Sequence, residues 1–323
     1  MTGYFEGSMH VKKTKMLTEG AMLAAVFGVC LLIALYVPLI RLVAIIFLVL
    51  PFIIFCSKYP LKYIIVFSAV CLLVSALMGT VASLPVAVLF GSTGFVMGYC
   101  IQLKKTKFFT YVASSLMFLT GMITIMFFSL KFFHLNIIAE NLKTMQQSIE
   151  QSKAILSALG QESAYKERFA QMADSVSLVY TVYLPSFLLL SAFIMVLILV
   201  AINFPIAKRF GVPAPKWNPF RELRLPKNIL WYYIIVMAAY LLMRADTSSF
   251  LAKAVLNLML IFQILILLQG YSLLNFFSYT KKWPKGIFAL AVILSLMFSP
   301  LLYLVMIFGI MDLGFDFRQM IQR

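Results

Sequence analysis

The side chains able to do chemistry in this 323-residue sequence are few and scattered. There are two histidines, His10 and His134, four cysteines, Cys30, Cys56, Cys71 and Cys100, and eleven acidic residues. Neither histidine has a cysteine or a second histidine near it at zinc-ligand spacing, and no Cys-x-x-Cys occurs. The phosphate loop Gly-x-x-x-x-Gly-Lys, the zinc motif His-Glu-x-x-His and the nucleophile elbow Gly-x-Ser-x-Gly are missing, as are paired acids within one apolar run. The pattern predicts no catalytic residues, no metal and no bound cofactor, and hence a protein that is not an enzyme. The cysteines lie in or at the ends of apolar runs and read as small packing residues. Glu19, beside Thr18 where the first apolar run opens, reads as a complement to a helix N-terminus ahead of a proton-relay role.

Residues suited to binding are more numerous. Arg41, Arg244 and Asp246, with Lys253, fall where apolar runs end on one side, and a rim of that kind suits an anionic or zwitterionic solute or serves as ordinary interfacial anchoring. One long apolar run carries Asn257, Gln263, Gln269 and Asn275, amides that must find partners in hydrocarbon; contact between helices is the first expectation and ligand contact the second. Ala21 and Ala25, and Gly91, Gly94 and Gly98, put small residues on one helix face at a spacing that lets backbones approach closely. The alanines suit contact with a partner helix, and the glycines suit helix packing, within a chain or between chains.

The elements that position these residues are membrane helices. Hydrophobic residues make up 63% of the chain, charged ones 12%, and mean hydropathy is +0.99, far from soluble composition. The expected fold is an all-α polytopic transmembrane bundle of about nine spans, eight being the alternative. They lie near 17–37, 41–57, 62–79, 84–101, 108–133, 178–202, 229–243, 250–276 and 286–310. The formal charge of +16 reads as a topology signal, not a nucleic-acid surface, because the basic residues sit in short loops. Lys12, Lys13, Lys15, Lys58, Lys62, Lys104, Lys105, Lys107, Lys208, Arg209, Lys216, Arg221, Arg224, Lys227, Lys281, Lys282 and Lys285 all fall on one side of nine alternating spans. That side is expected to be cytoplasmic, with the N-terminus there and the polar insert and C-terminus outside.

Residues 134–177 form the long polar interval, and apolar positions at Ile138, Leu142, Met145, Ile149, Tyr165, Phe169, Met172 and Val176 keep helical spacing on each side of Gly160. They predict a helical hairpin paired by its apolar stripes, with a docking surface or lid as the sharper reading. The expected divisions are an N-terminal segment 1–16, a bundle 17–202 that includes the insert, a basic Pro-rich loop 203–228, a bundle 229–310 and a tail 311–323. No cleavable signal peptide is evident, and Met9 offers a second start behind an added leader of residues 1–8.

The opening KKTKMLTEGAMLAAVFGVCLLIALYVPLI, with its basic lead, Thr18-Glu19-Gly20-Ala21 and Tyr36-Val37-Pro38, resembles the YybS-like family of uncharacterised bacterial membrane proteins. The resemblance implies a multi-pass protein of a bacterial plasma membrane. More remotely, the N-terminal part is similar to S components of energy-coupling-factor transporters. That likeness implies solute binding by spans one to six, with Ala21 and Ala25 against a coupling membrane subunit driven by separate ATPases. Three further spans and the long insert depart from that pattern. The leading expectation is therefore binding or transport of a small solute, and the alternative is a membrane scaffold or regulator acting through the hairpin and the basic loop.

Overall fold

In hydrocarbon, a backbone N–H or C=O finds no water, so apolar runs of this length satisfy themselves as helices. The computed structural model, which describes residues 3–79, 83–158, 162–216, 219–243, 249–315 and 317–318, is all-α, without a strand among those residues. Its helices are α1 (Gly3–Tyr36), α2 (Arg41–Phe47), α3 (Leu50–Lys58), α4 (Leu61–Met78), α5 (Ser83–Gln102), α6 (Lys107–Phe133), α7 (Ile137–Ala158), α8 (Glu162–Thr181), α9 (Leu184–Arg209), α10 (Asn228–Leu242), α11 (Phe250–Thr280), α12 (Lys285–Met297) and α13 (Ser299–Phe315). Among the described residues seven helical segments are long and apolar enough to cross a membrane, or eight if the bent pair α12–α13 counts as one. At 15 residues, or about 22 Å, α10 is short for a bilayer core of about 30 Å.

The chain divides into two compact units, Met1–Glu140 with Leu189–Lys216, and Asn141–Leu188 with Trp217–Arg323. Most of the polar insert falls in the second, C-terminal unit.

In the N-terminal unit the core centres on Phe52, whose ring meets Phe27 edge-on at 5.5 Å and Phe67 at 5.2 Å, while Phe55 stacks on Phe67. Gly91, Gly94 and Gly98 lie on the α5 face against α3: a Cβ at each would press on the Phe52 ring, the Val49 carbonyl and the Ile53 carbonyl respectively. The second apolar run breaks at Leu48–Val49 because Pro51 has no N–H for the carbonyl four residues back. Asn203 Nδ2 donates to the Ile46 carbonyl at this break, at 3.0 Å.

In the C-terminal unit α11 and α13 cross with their backbones almost touching. A Cβ on Gly270 would collide with the Val305 carbonyl, and one on Gly309 with the Ile266 carbonyl. The run expected as the ninth span, near 286–310, is bent here. The run breaks at Phe298, and α13 leaves at 117° to the preceding helix. Pro300 is the cause, since its ring and missing N–H stop a helix arriving from residue 297 but suit the first turn of a new one.

The pairing expected of the polar insert is also revised. No described residue of α7 is buried, and Met145 and Met172 of the two stripes stay exposed. Mixed charges spread along α7 suit a solvated surface.

Candidate binding cleft

The amides of α11 recur every six residues, and their surroundings differ. Asn257 is fully engaged: its Oδ1 accepts from the Ser186 backbone N–H at 3.0 Å and the Ser186 hydroxyl at 2.7 Å, and its Nδ2 donates to the Val182 and Lys253 carbonyls. Ser186 is buried and opens α9, so this knot fixes the start of α9 on α11. Gln269, 1% exposed, accepts from the Leu225 N–H at 3.0 Å and donates to the Asp312 carboxylate. Both make the interhelical contacts expected of amides in hydrocarbon.

Gln263 lies between them, near the middle of α11. It is half-buried and makes no hydrogen bond among the described residues. Its side chain instead lines an open cleft of about 440 Å³ in the C-terminal unit. The walls are Leu178 and Val179 from α8, Phe187 from α9, and Leu256, Met259 and Leu260 from α11; Ser175, Tyr183 and Tyr240 add hydroxyls. The cleft exists because α10 ends at Leu242, just past Tyr240, whereas α11 is 31 residues long, about 46 Å. The size falls within the range of roughly 300–1,000 Å³ usual for small-molecule sites. An unpaired amide facing an apolar site costs on the order of 1–3 kcal/mol until something bonds to it.

A second polar cluster closes the opposite end of the same unit. Arg318, 1% exposed, bridges Asp312 at 2.8 Å and donates to the Leu223 carbonyl at 3.0 Å, the Ser272 hydroxyl at 3.0 Å and the Arg221 carbonyl. Ser272 donates to the Phe220 and Leu223 carbonyls, and the Arg221 guanidinium stacks 3.7 Å from the Tyr279 ring centre. Each of the three guanidinium nitrogens of Arg318 has an acceptor, so the cluster reads as a structural lock. It places Arg318 at the same end as residues 220–225, where a ninth crossing would have sent it to the other side. The turn at Phe298 brings the chain back, and Leu230 lies 3.7 Å from where a Cβ on Gly314 would be.

The residues singled out by spacing are distributed differently. Arg41 is exposed and donates to the Ala34 and Leu35 carbonyls, at 3.0 and 3.2 Å, at the last turn of α1. Arg244 and Asp246 lie outside the described residues. Ala21 and Ala25 are exposed on α1, while Leu23, Ala24 and Phe27 on its other face are buried. Glu19 lies well inside α1 instead of at its start. It binds Lys58 Nζ and the Tyr59 hydroxyl at 2.6 Å, and Gln102 donates to the Tyr59 carbonyl, joining α1, α3 and α5 at one end. Burial, then the Glu19 hydrogen bond and its charge, push the Tyr59 phenol up to about 12. The cleft itself was missed because its walls come from three distant stretches; the one local signal was an amide in mid-span.

A family model described as "Predicted membrane protein (DUF2232)" matches residues 25–313, a stretch that takes in the whole cleft. The chain is similar to "Uncharacterized protein YybS" of Bacillus subtilis (strain 168), 28% identical over 313 residues, which is 97% of this chain and 100% of that protein. No solved structure matches it significantly.

Proposed function

We propose that this chain, which belongs to the DUF2232 family of predicted membrane proteins, binds a small molecule in the cleft of its C-terminal unit and does no covalent chemistry on it. The observation that carries the reading is Gln263, an amide near mid-helix that lines a mostly apolar cleft with two tyrosines and makes no hydrogen bond among the described residues. The lining offers hydroxyls and an amide but no carboxylate, imidazole or thiol, a set that orients a ligand without breaking its bonds. The membrane is a bacterial plasma membrane, with the basic loops and the N-terminus cytoplasmic. The cleft then opens toward the outer leaflet.

The test is mild-detergent purification of the full chain and of Leu260→Trp, followed by organic extraction and mass spectrometry of what co-purifies. One compound near stoichiometry in the wild type and depleted in the variant is the expected result. Identical extracts from two equally folded proteins overturn the reading.

A second reading has its own observation. The exposed small face of α1 at Ala21 and Ala25 suits close approach by a partner helix, as a coupling membrane subunit served by separate ATPases would require for solute transport. Ala21→Leu with Ala25→Leu is expected to leave folding intact and to remove any membrane subunit that co-purifies with the wild type. An unchanged set of partners rejects this surface.

A further inference from the structure

We infer that the ligand of this cleft is a neutral, single-chain lipid that enters sideways from the bilayer, with hydroxyls at its head and a carbonyl just below them. The inference rests on the cleft being a binding site and narrows what it binds.

Charge gives the first argument. None of the ten lining residues is Lys, Arg, Asp, Glu or His, so among the described residues the wall of the cleft offers an ionic headgroup no counter-charge, and an uncompensated ion at membrane depth is costly. Polarity along the cleft gives the second. The hydroxyls of Tyr183 and Tyr240 lie where α9 begins and α10 ends, whereas Gln263 is seven residues, about 10 Å, further along α11 than Leu256. A headgroup with several hydroxyls suits the first station. A primary amide, which donates twice and accepts, suits an ester carbonyl or a hydroxyl at the second.

Access is the third argument. Phe187 and Tyr240 are about half exposed, at 45 and 46%, on the apolar helices α9 and α10, whereas Leu178 stands on α8 at the edge of the polar insert. A side bordered by Phe187 and Tyr240 lies within reach of acyl chains. A water-soluble solute would have to leave water for hydrocarbon before meeting Gln263, whereas a lipid already resides there. The volume, toward the lower end of the small-ligand range, suits one chain and not the two of a phospholipid.

The experiment uses the full-length protein in liposomes and a diazirine-bearing monoacylglycerol, with a lysophosphatidate of the same chain as the charged comparison. Expected is saturable photolabelling within 175–187 and 256–263, competed by unlabelled monoacylglycerol and far less by the lysophosphatidate. Gln263→Leu keeps the fold and the apolar walls, and should weaken the labelling affinity roughly 3- to 10-fold, the worth of one hydrogen bond. Competition by the lysophosphatidate as strong as by the neutral lipid overturns the inference. So does labelling that never saturates and ignores Gln263→Leu and Leu260→Trp alike, which marks ordinary boundary lipid. If the extracted compound is water-soluble and depleted by Leu260→Trp, the cleft remains a binding site and the lipid assignment alone falls.

Discussion

Arg318 is enclosed by Asp312, Ser272 and the carbonyls of Arg221 and Leu223. Desolvating such a pair is expensive, and the cost is offset by acceptors for each of its three nitrogens. Removing one partner strands the other. Arg318→Ala is expected to cost about 3–5 kcal/mol, with Asp312 left buried and unpaired. Arg318→Met combined with Asp312→Leu should cost clearly less, since neither charge remains. Thermal unfolding in detergent of the two variants and the wild type checks this; equal losses would mean that the pair contributes packing and not charge balance. The sequence did not advertise this residue, because its partners are an acid six residues away and carbonyls nearly a hundred residues away. The amides of α11, in contrast, were recognisable as needing partners from their setting alone, although which of them would remain open to a ligand was not.

At the scale of elements, the apolar runs themselves were legible, because a run with few charges has no stable state in hydrocarbon except a helix. What those runs do at their proline positions was not. Pro51 and Pro300 both interrupt apolar runs; the first leaves two helices within one 21-residue span, from Pro38 to Lys58, and the second turns the chain by 117°. The difference lies in what waits for the outgoing helix. α13 finds Gly270 on α11, and its own Gly309 lets the two backbones close on each other. Gly309→Val is therefore expected to part the helices at a cost of about 1–3 kcal/mol or more, since the Ile266 carbonyl cannot yield as a side chain would. Gly286→Ala, where a Cβ meets nothing within 4 Å, is the matched control and should be nearly neutral. Unfolding midpoints that fall equally for both would refute close packing as the reason α13 turns back. The small-residue pattern noticed in α5 was visible because three glycines share one helix, whereas Gly270 and Gly309 lie on different helices and form a pair only after folding.

For the whole molecule, the bend at Phe298 bears on the side of the membrane that Arg318 occupies. Within the C-terminal unit Arg221 stacks on Tyr279 and Arg318 holds the Leu223 carbonyl, so Arg221, Lys281 and Arg318 gather at one end. The opposite end has Lys253 near the start of α11. Counting charges along nine spans put Arg318 on the sparsely charged side, whereas within the C-terminal unit it lies with Arg221, the arrangement that the charge rule favours for a re-entrant pair. A fluorescent protein fused after Arg323 should therefore fold and fluoresce in the cytoplasm, and alkaline phosphatase at the same position should be inactive. Phosphatase placed within α7 after Gln147 should be active, since that helix lies beyond an odd number of crossings. An active C-terminal phosphatase together with an active insertion at Gln147 would mean that α12 and α13 cross as one span in the membrane. The packing of Gly309 on Ile266 would then have to be abandoned along with the re-entrant turn.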